Sequence, residues 1–453
     1  MSISFSKRDE FVRKPYAEKL INLLVSESKV SPMVISGDLG TGKSEFTLKL
    51  IHLLEASEPN YNVIFLDASQ ASPVNNQLIS IVSEMLKLLP ESERQPLIET
   101  ALPALRYSIE IGFKGRGVNP SHSECESAQA SNQCRTDIGS DAVLNTVIES
   151  LLTEKIEAEK SIKALIEKIV QLIAPREIII FIDELDHCRP EFSIEMIEVI
   201  KQFFQSDKIQ FVLVTNLFQL KGNVHQCYGD DFDADYYLDQ FINFSFSLSV
   251  QFGQGYDLIS ASRAHFTNLL RDSDLLKETC LHDDDVLGFI SYLIRVNSLS
   301  LRDVETLIRY FEIANTLSNL LSQNQALGFK LLQVFAVYLF CFEKELSQEL
   351  FDNHIDVRKI MDSLGKEIVF NLQSTVIDEH NHRPKHSDLL LALISYEATE
   401  NQALFNFDDD LKQKWQAELQ PLFDEAVLDG KESKVAIITN TLKELMLLNV
   451  AKE

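Results

Sequence analysis

Met33-Val34-Ile35-Ser36-Gly37-Asp38-Leu39-Gly40-Thr41-Gly42-Lys43-Ser44 is the stretch on which the reading of this chain turns. Its first four residues form a short apolar run, and the next eight complete the pattern G-x-x-x-x-G-K-[ST]. A strand that delivers glycines to a tight turn lets backbone N–H groups cradle phosphates, and a helix opening at about Lys43 adds the positive end of its dipole. The stretch therefore reads as a phosphate loop for a nucleoside triphosphate. Gly37, Asp38, Leu39, Gly40, Thr41, Gly42, Lys43, Ser44 and Glu45 form the expected cradle, with Lys43 reaching the β/γ-phosphates and Ser44 holding Mg²⁺. Phe46, Leu48, Leu50, Ile51 and Leu54 then recur at amphipathic-helix spacing, which weighs against a chance glycine loop.

A second stretch, Glu177-Ile178-Ile179-Ile180-Phe181-Ile182-Asp183-Glu184, is an apolar β-branched run ending in two carboxylates. Such a run suits a strand buried on both faces in the middle of a parallel sheet, with its last residues at the edge where ligands lie. Asp183 is then expected to assist Mg²⁺, commonly through water, and Glu184 to polarise the attacking water. The plainer alternative is two acids capping a core strand. A third strand, Gln210-Phe211-Val212-Leu213-Val214, runs into Thr215-Asn216, where Asn216 either senses the γ-phosphate or turns the chain at the strand end. Together these motifs predict an α/β fold: a P-loop NTPase core with a parallel sheet, of the additional-strand, catalytic-glutamate type, plus a helical C-terminal region.

The 453 residues suffice for two or three domains, and 45% hydrophobic content with 28 Phe is that of a packed globular chain. The net charge of −26 disfavours non-specific binding to nucleic acid or anionic membranes. Six scattered Cys without C-x-x-C spacing suit a reducing compartment, and the polar start shows no signal peptide, so a cytoplasmic location is expected. The apolar run from Leu331 to Phe342 contains Gln333, is too short to span a bilayer, and reads as a buried core helix. Two weak metal groupings, His122 with Cys125 and Cys134, and His380 with His382 and His386, read more simply as solvated loops. The expected organisation is an NTPase domain over residues 1–250, with a lead-in over 1–30 and a polar insertion over about 90–140, then a helical region over 251–453. A long helical pattern from about Val143 to Ile173 leads into the second motif. The helical region divides into a lid-like part, about 251–315, and a partner-binding part, about 316–453.

Asp183-Glu184-Leu185-Asp186-His187-Cys188-Arg189-Pro190, followed by an amphipathic helix, resembles the D-D-L-D-R-C-x-P signature of the KAP family of P-loop NTPases. Phe11 to Ala17, Tyr236 to Ile242 and Ser300 to Glu305 resemble three further family segments, so the resemblance covers about residues 9 to 315. Two departures stand out: Glu184 replaces the second Asp, and His187 replaces the Arg. Many relatives carry inserted transmembrane helices; this chain reads as a soluble member. The resemblance implies an ATPase, and it leaves Arg189 as a trans-acting finger and one of Arg302 and Arg309, Arg302 foremost, as a γ-phosphate sensor, the plainer role being a surface arginine paired with Glu305 or Asp303. Ser300 and Asp303 have capping-box spacing at the start of the helix carrying Arg302 and Arg309. The lead-in around Arg13 to Tyr16 is expected to contact the base, with Tyr16 equally suited to packing.

No N-K-x-D element follows the third strand, so ATP is the expected nucleotide. The expected function is an Mg²⁺-dependent ATPase that drives a conformational switch through self-association or a partner protein encoded nearby. The resemblance adds a bacterial setting and, for some relatives, a link to phage exclusion or defence. Two other classes stay open: a nucleic-acid-stimulated motor or loader, and an ATP-binding scaffold without significant turnover.

Overall fold

The computed structural model describes residues 4–26, 30–70, 77–98, 160, 163–203, 206–252, 259–318, 320–352, 354–366, 385–398, 409–423 and 433–446. The chain divides into two compact units, Met1–Leu248 and Ser249–Glu453. The polar insertion beyond residue 98 and the His122/Cys125/Cys134 and His380/His382 groupings lie outside the described residues. So does the long helix before the carboxylate strand, up to residue 159; its end, 163–173, is helical.

The first unit is built on five parallel strands: β1 (Met33–Ser36), β2 (Tyr61–Asp67), β3 (Glu177–Asp183), β4 (Ile209–Thr215) and β5 (Phe244–Ser247), in the order β2-β3-β4-β1-β5. β4 thus lies between the carboxylate strand and the phosphate-loop strand, which is the additional-strand arrangement. β3 is an interior strand, flanked by β2 and β4, and is buried over its last six residues. Because side chains alternate along a strand, Ile178, Ile180 and Ile182 enter one core while Ile179 and Phe181 enter the other. The first core is closed by α3 (Gln77–Lys87), α4 (Pro190–Phe203), α5 (Leu217–Tyr228) and α6 (Ala234–Asp239), the second by α1 (Lys14–Leu24) and α2 (Lys43–Ser57). Strand register then aligns the ends that matter. Asp67 pairs with Asp183, Asp183 with Val214, and Ser36 with Thr215, so all four strands finish at one edge.

The second unit opens with a small antiparallel ladder, β6 (Gln251–Phe252) against β7 (Ile259–Ser260), which the almost wholly helical reading of this region did not place. Helices α7 (Ala261–Asp272), α8 (Asp284–Val296), α9 (Leu301–Ser318), α10 (Leu327–Phe342), α11 (Lys344–Phe351), α12 (Val357–Ser363), α13 (His386–Glu397), α14 (Asp409–Phe423) and α15 (Ala436–Met446) follow. α10 is the expected core helix: Leu331, Leu332 and Val334 to Leu339 are all buried, and its Lys330 is neutralised by Asp283 at 2.8 Å. Among the described residues no helix is long and apolar enough to cross a membrane. The capping box at the start of α9 forms as expected, with Ser300 N–H donating to Asp303 Oδ2 at 2.9 Å and Asp303 N–H to Ser300 Oγ at 3.2 Å.

Gly328, near the start of α10, lies directly under the Phe423 ring; a Cβ there would come within 2.3 Å of it. Gly328→Ala is therefore expected to destabilise the unit by about 1–3 kcal/mol through overpacking, read as a lowered Tm in calorimetry.

Candidate functional site

The phosphate loop is shaped by its glycines. A Cβ on Gly37 would come within 2.8 Å of Thr41 Oγ1, and Gly40 and Gly42 hold φ of 75° and 80°, the left-handed region that favours glycine. Gly42 caps α2 without a side chain, and the first helical hydrogen bond runs from Phe46 N–H to Gly42 O at 3.0 Å. The N–H groups of Lys43, Ser44 and Glu45 thus precede the helical ladder, the arrangement that makes a helix start an anion cradle. Lys43 Nζ folds over the loop, donating to Gly37 O at 2.9 Å and Asp38 O at 3.2 Å, while Thr41 Oγ1 donates to Asp38 O at 2.8 Å.

The lead-in braces this loop from behind. Asp9 caps α1 by accepting from the N–H groups of Arg13 at 2.8 Å and Lys14 at 3.0 Å. Buried Arg13 donates from Nη1 to Thr41 O at 3.2 Å and lies 4.5 Å from the centre of the Phe11 ring. Burial lowers its pKa to about 10 against the opposing pull of Glu45, Asp9 and Glu10. Tyr16 is half-exposed, with its ring 6.2 Å from that of Phe246.

At the end of β3, Asp183 is only 2% exposed. Burial raises its pKa, while hydrogen bonds from the Ser44 side chain and the Glu184 N–H hold the carboxylate down; the charges of Glu184 and Asp67 add to the rise. The Ser44 hydroxyl thus lies close enough to act on the Asp183 carboxylate, with which it is expected to share a metal. Glu184 follows with φ 62° and ψ 25°, an unusual backbone for a side-chain-bearing residue of the kind that gathers at functional sites. The chain then makes one 3₁₀ turn, Leu185–His187, whose Asp186 is buried and accepts from Thr215 Oγ1 at 3.0 Å.

Asn216 sits at the end of β4, and its Oδ1 accepts from Phe218 N–H at 2.9 Å and Gln219 N–H at 3.4 Å, capping α5. The turn-forming role is thus real, and any sensing falls to the amide nitrogen. Arg189 is exposed just before α4. Arg302 is exposed on α9 in the second unit, with Arg309 likewise exposed seven residues on, and Asp303 is committed to the capping box. Sequence reasoning missed the brace of Arg13 on Thr41 and the link of Asp186 to Thr215. The second had a signal in the acid three residues after Asp183. Among the described residues no group of three or more His, Cys, Asp or Glu is arranged to hold a metal ion.

A parallel sheet of this order with a glycine loop beside a buried strand-end carboxylate defines a P-loop NTPase. The chain matches the KAP family P-loop domain over residues 13–319 and belongs to that family. Among solved structures it is similar to the Aeropyrum pernix ORC2 protein in ADPNP-ADP complexes, with 14% identity, 96% of this chain and 86% of that chain covered, and a TM-score of 0.32. It is similar also to AMPPCP-bound DnaA from Aquifex aeolicus, with 11% identity, 97% and 90% covered, and a TM-score of 0.31. A DNA replication initiation factor gives 13% identity, 94% and 98% covered, and a TM-score of 0.33. At these TM-scores the likeness is slight. No curated protein matches the chain.

The raised pKa of Asp183 carries a sign. A carboxyl whose folded pKa exceeds its unfolded value favours the fold while protonated, and that favour is lost as pH rises through the folded value. Asp183→Asn is therefore expected to raise the Tm of the nucleotide-free protein near pH 7, and the gain to shrink as pH falls toward about 4, checked by thermal melts across that range.

Proposed function

We propose that the chain is an Mg²⁺-dependent ATPase whose hydrolysis works a conformational switch. The reading is carried by one observation: the phosphate loop with Ser44, the buried Asp183 and the adjoining Glu184 converge at one sheet edge. The residues fit the nucleotide and the ion. Gly37 leaves no room for a side chain inside the loop, and Asp183 and Ser44 offer two hard oxygen donors, the buried one answered by few hydrogen bonds. Ser44 and Asp183 would hold Mg²⁺, which when bound neutralises phosphate charge. Lys43 exchanges its loop carbonyls for phosphate oxygens, and the N–H groups at the start of α2 add donors fixed in advance. Glu184 accepts the proton of the attacking water, and the Asn216 amide nitrogen orients that water or the γ-phosphate. Thr215-Asn216-Leu217-Phe218 stands where a guanine-reading element would, which supports ATP.

The second unit contributes no second catalytic motif in the sequence, which supports a switch over metabolic turnover. Arg189 supplied by a second copy and Arg302 acting as a sensor are the two cationic groups proposed to complete the site. The setting we propose is cytoplasmic, through self-association or a partner encoded nearby, in a bacterial anti-phage defence system. Plaque counts on cells carrying the whole operon are then expected to rise with Lys43→Ala; unchanged counts would refute that setting.

Steady-state ATP hydrolysis over a protein-concentration series tests the chemistry. Glu184→Gln is expected to lower turnover by about 10²–10³-fold while ATP binding persists, and Lys43→Ala to weaken binding itself. Turnover in Glu184→Gln equal to that of the unaltered chain would refute the assignment. A specific activity that rises with concentration and is lost in Arg189→Ala would support completion in trans.

A further inference from the structure

The turn after Glu184 carries a group that the hydrolytic reading leaves unused. His187 N–H donates to Glu184 O at 3.1 Å, so the 3₁₀ turn brings the imidazole back over the residue that opens it. Its Nε2 lies 3.5 Å from Glu184 Oε2 and 3.7 Å from Asp186 Oδ2. The two carboxylates differ in kind. Asp186 is buried and tethered through Thr215 to the end of β4, whereas Glu184 is about one-third exposed and bonded by no other side chain among the described residues. The imidazole therefore spans a fixed anchor and the carboxylate whose position decides the chemistry.

We propose that His187, as the imidazolium, is the positioning residue of Glu184, tying its carboxylate to the Asp186 and Thr215 anchor so that turnover follows the charge on the ring. The proposal rests on Glu184 being the group that activates water. The surroundings are acidic: Glu184 and Asp186 lie on the same turn, Asp183 ends β3 and Asp67 ends β2, and their field shows in the neighbouring Cys188, whose thiol burial pushes up to about 11 with Asp186, Asp67 and Glu184 adding to the rise. The other elements packed on the turn bring charged groups of their own, of which Glu198 and Lys201 on α4 pair with each other. On α5, Lys221 pairs with Asp235 and His225 faces Gly229 O; on α4, Glu195 accepts from Gln77, and Glu191 makes no ion pair among the described residues. Without the cation, Glu184 faces like charge and its carboxylate swings away; with it, the carboxylate is held.

The sign follows. An imidazole is cationic at low pH and neutral at high pH, so a kcat that depends on the imidazolium is highest at the acid end and falls as pH rises. ATP turnover would be measured from about pH 5.5 to 8.5 for the full chain, His187→Arg, His187→Gln and Glu184→Gln. The expected result is a kcat that falls about tenfold with rising pH in the unaltered chain, stays high and flat in His187→Arg, and stays low and flat in His187→Gln, with KM for ATP changed less than twofold. The exposed ring makes both replacements compatible with folding, checked by equal Tm values. A shared profile for the unaltered chain and His187→Gln, beside an inactive Glu184→Gln, would overturn this proposal alone. Full turnover in Glu184→Gln would overturn the Glu184 reading and this proposal with it.

Discussion

An ionised carboxylate buried at the end of an interior strand is expensive unless donors meet it, and the first unit is organised around meeting that cost at Asp183. The strand must be buried on both faces to put the carboxylate where it is, which requires two separate helical layers. The donors come from the elements that the sheet order brings alongside: Ser44 from the first turn of α2 and the N–H of Glu184 from the turn that follows. These hydrogen bonds oppose the effect of burial without cancelling it, since the pKa remains raised. A group left in that condition favours a cation beside it, and the chemistry of the site begins from that fact.

Strain and bracing then set the positions of the parts. Glu184 and Val12, neither of them glycine, both hold positive φ, and each adjoins a residue that is pinned: Asp183 in the first case, Arg13 in the second. Val is β-branched, so its φ of 51° is a costly conformation kept only because the flanking contacts over-determine it. The Asp9 cap on α1 and the Arg13 bond to Thr41 O supply those contacts, and they bind the lead-in to the phosphate loop. On the other side, the Thr215 bond to Asp186 joins the ends of β4 and β3, so the turn holding Glu184 and the strand presenting Asn216 form one hydrogen-bonded edge.

Much of this was legible in the residues. The phosphate loop, the apolar β3 run with its two acids, the β4 run into Thr215-Asn216 and the core helix α10 are all local patterns, and local patterns survive reading one residue at a time. The capping box of Ser300 and Asp303 belongs with them, because it spans only three residues. The N-cap role of Asn216 was legible too, as the turn-forming alternative. What escaped was non-local or rested on ordinary residues: an arginine in the lead-in that reaches a loop 28 positions on, and a threonine and an aspartate joined 29 positions apart. The short β6 and β7 ladder escaped because strands of two residues carry no periodicity.

The sequence by itself determined which groups the candidate site brings together: a glycine loop, a lysine, a serine and two carboxylates, whose spacing follows from strand and helix geometry alone. Tertiary structure decided how each group is held. Whether Arg13 meets solvent or Thr41, whether Asp183 is open or 2% exposed, and whether His187 points outward or spans Glu184 and Asp186 depend on which strands lie side by side. Burial and hydrogen-bond partners are properties of the packed sheet, set by long-range pairing that no local pattern encodes.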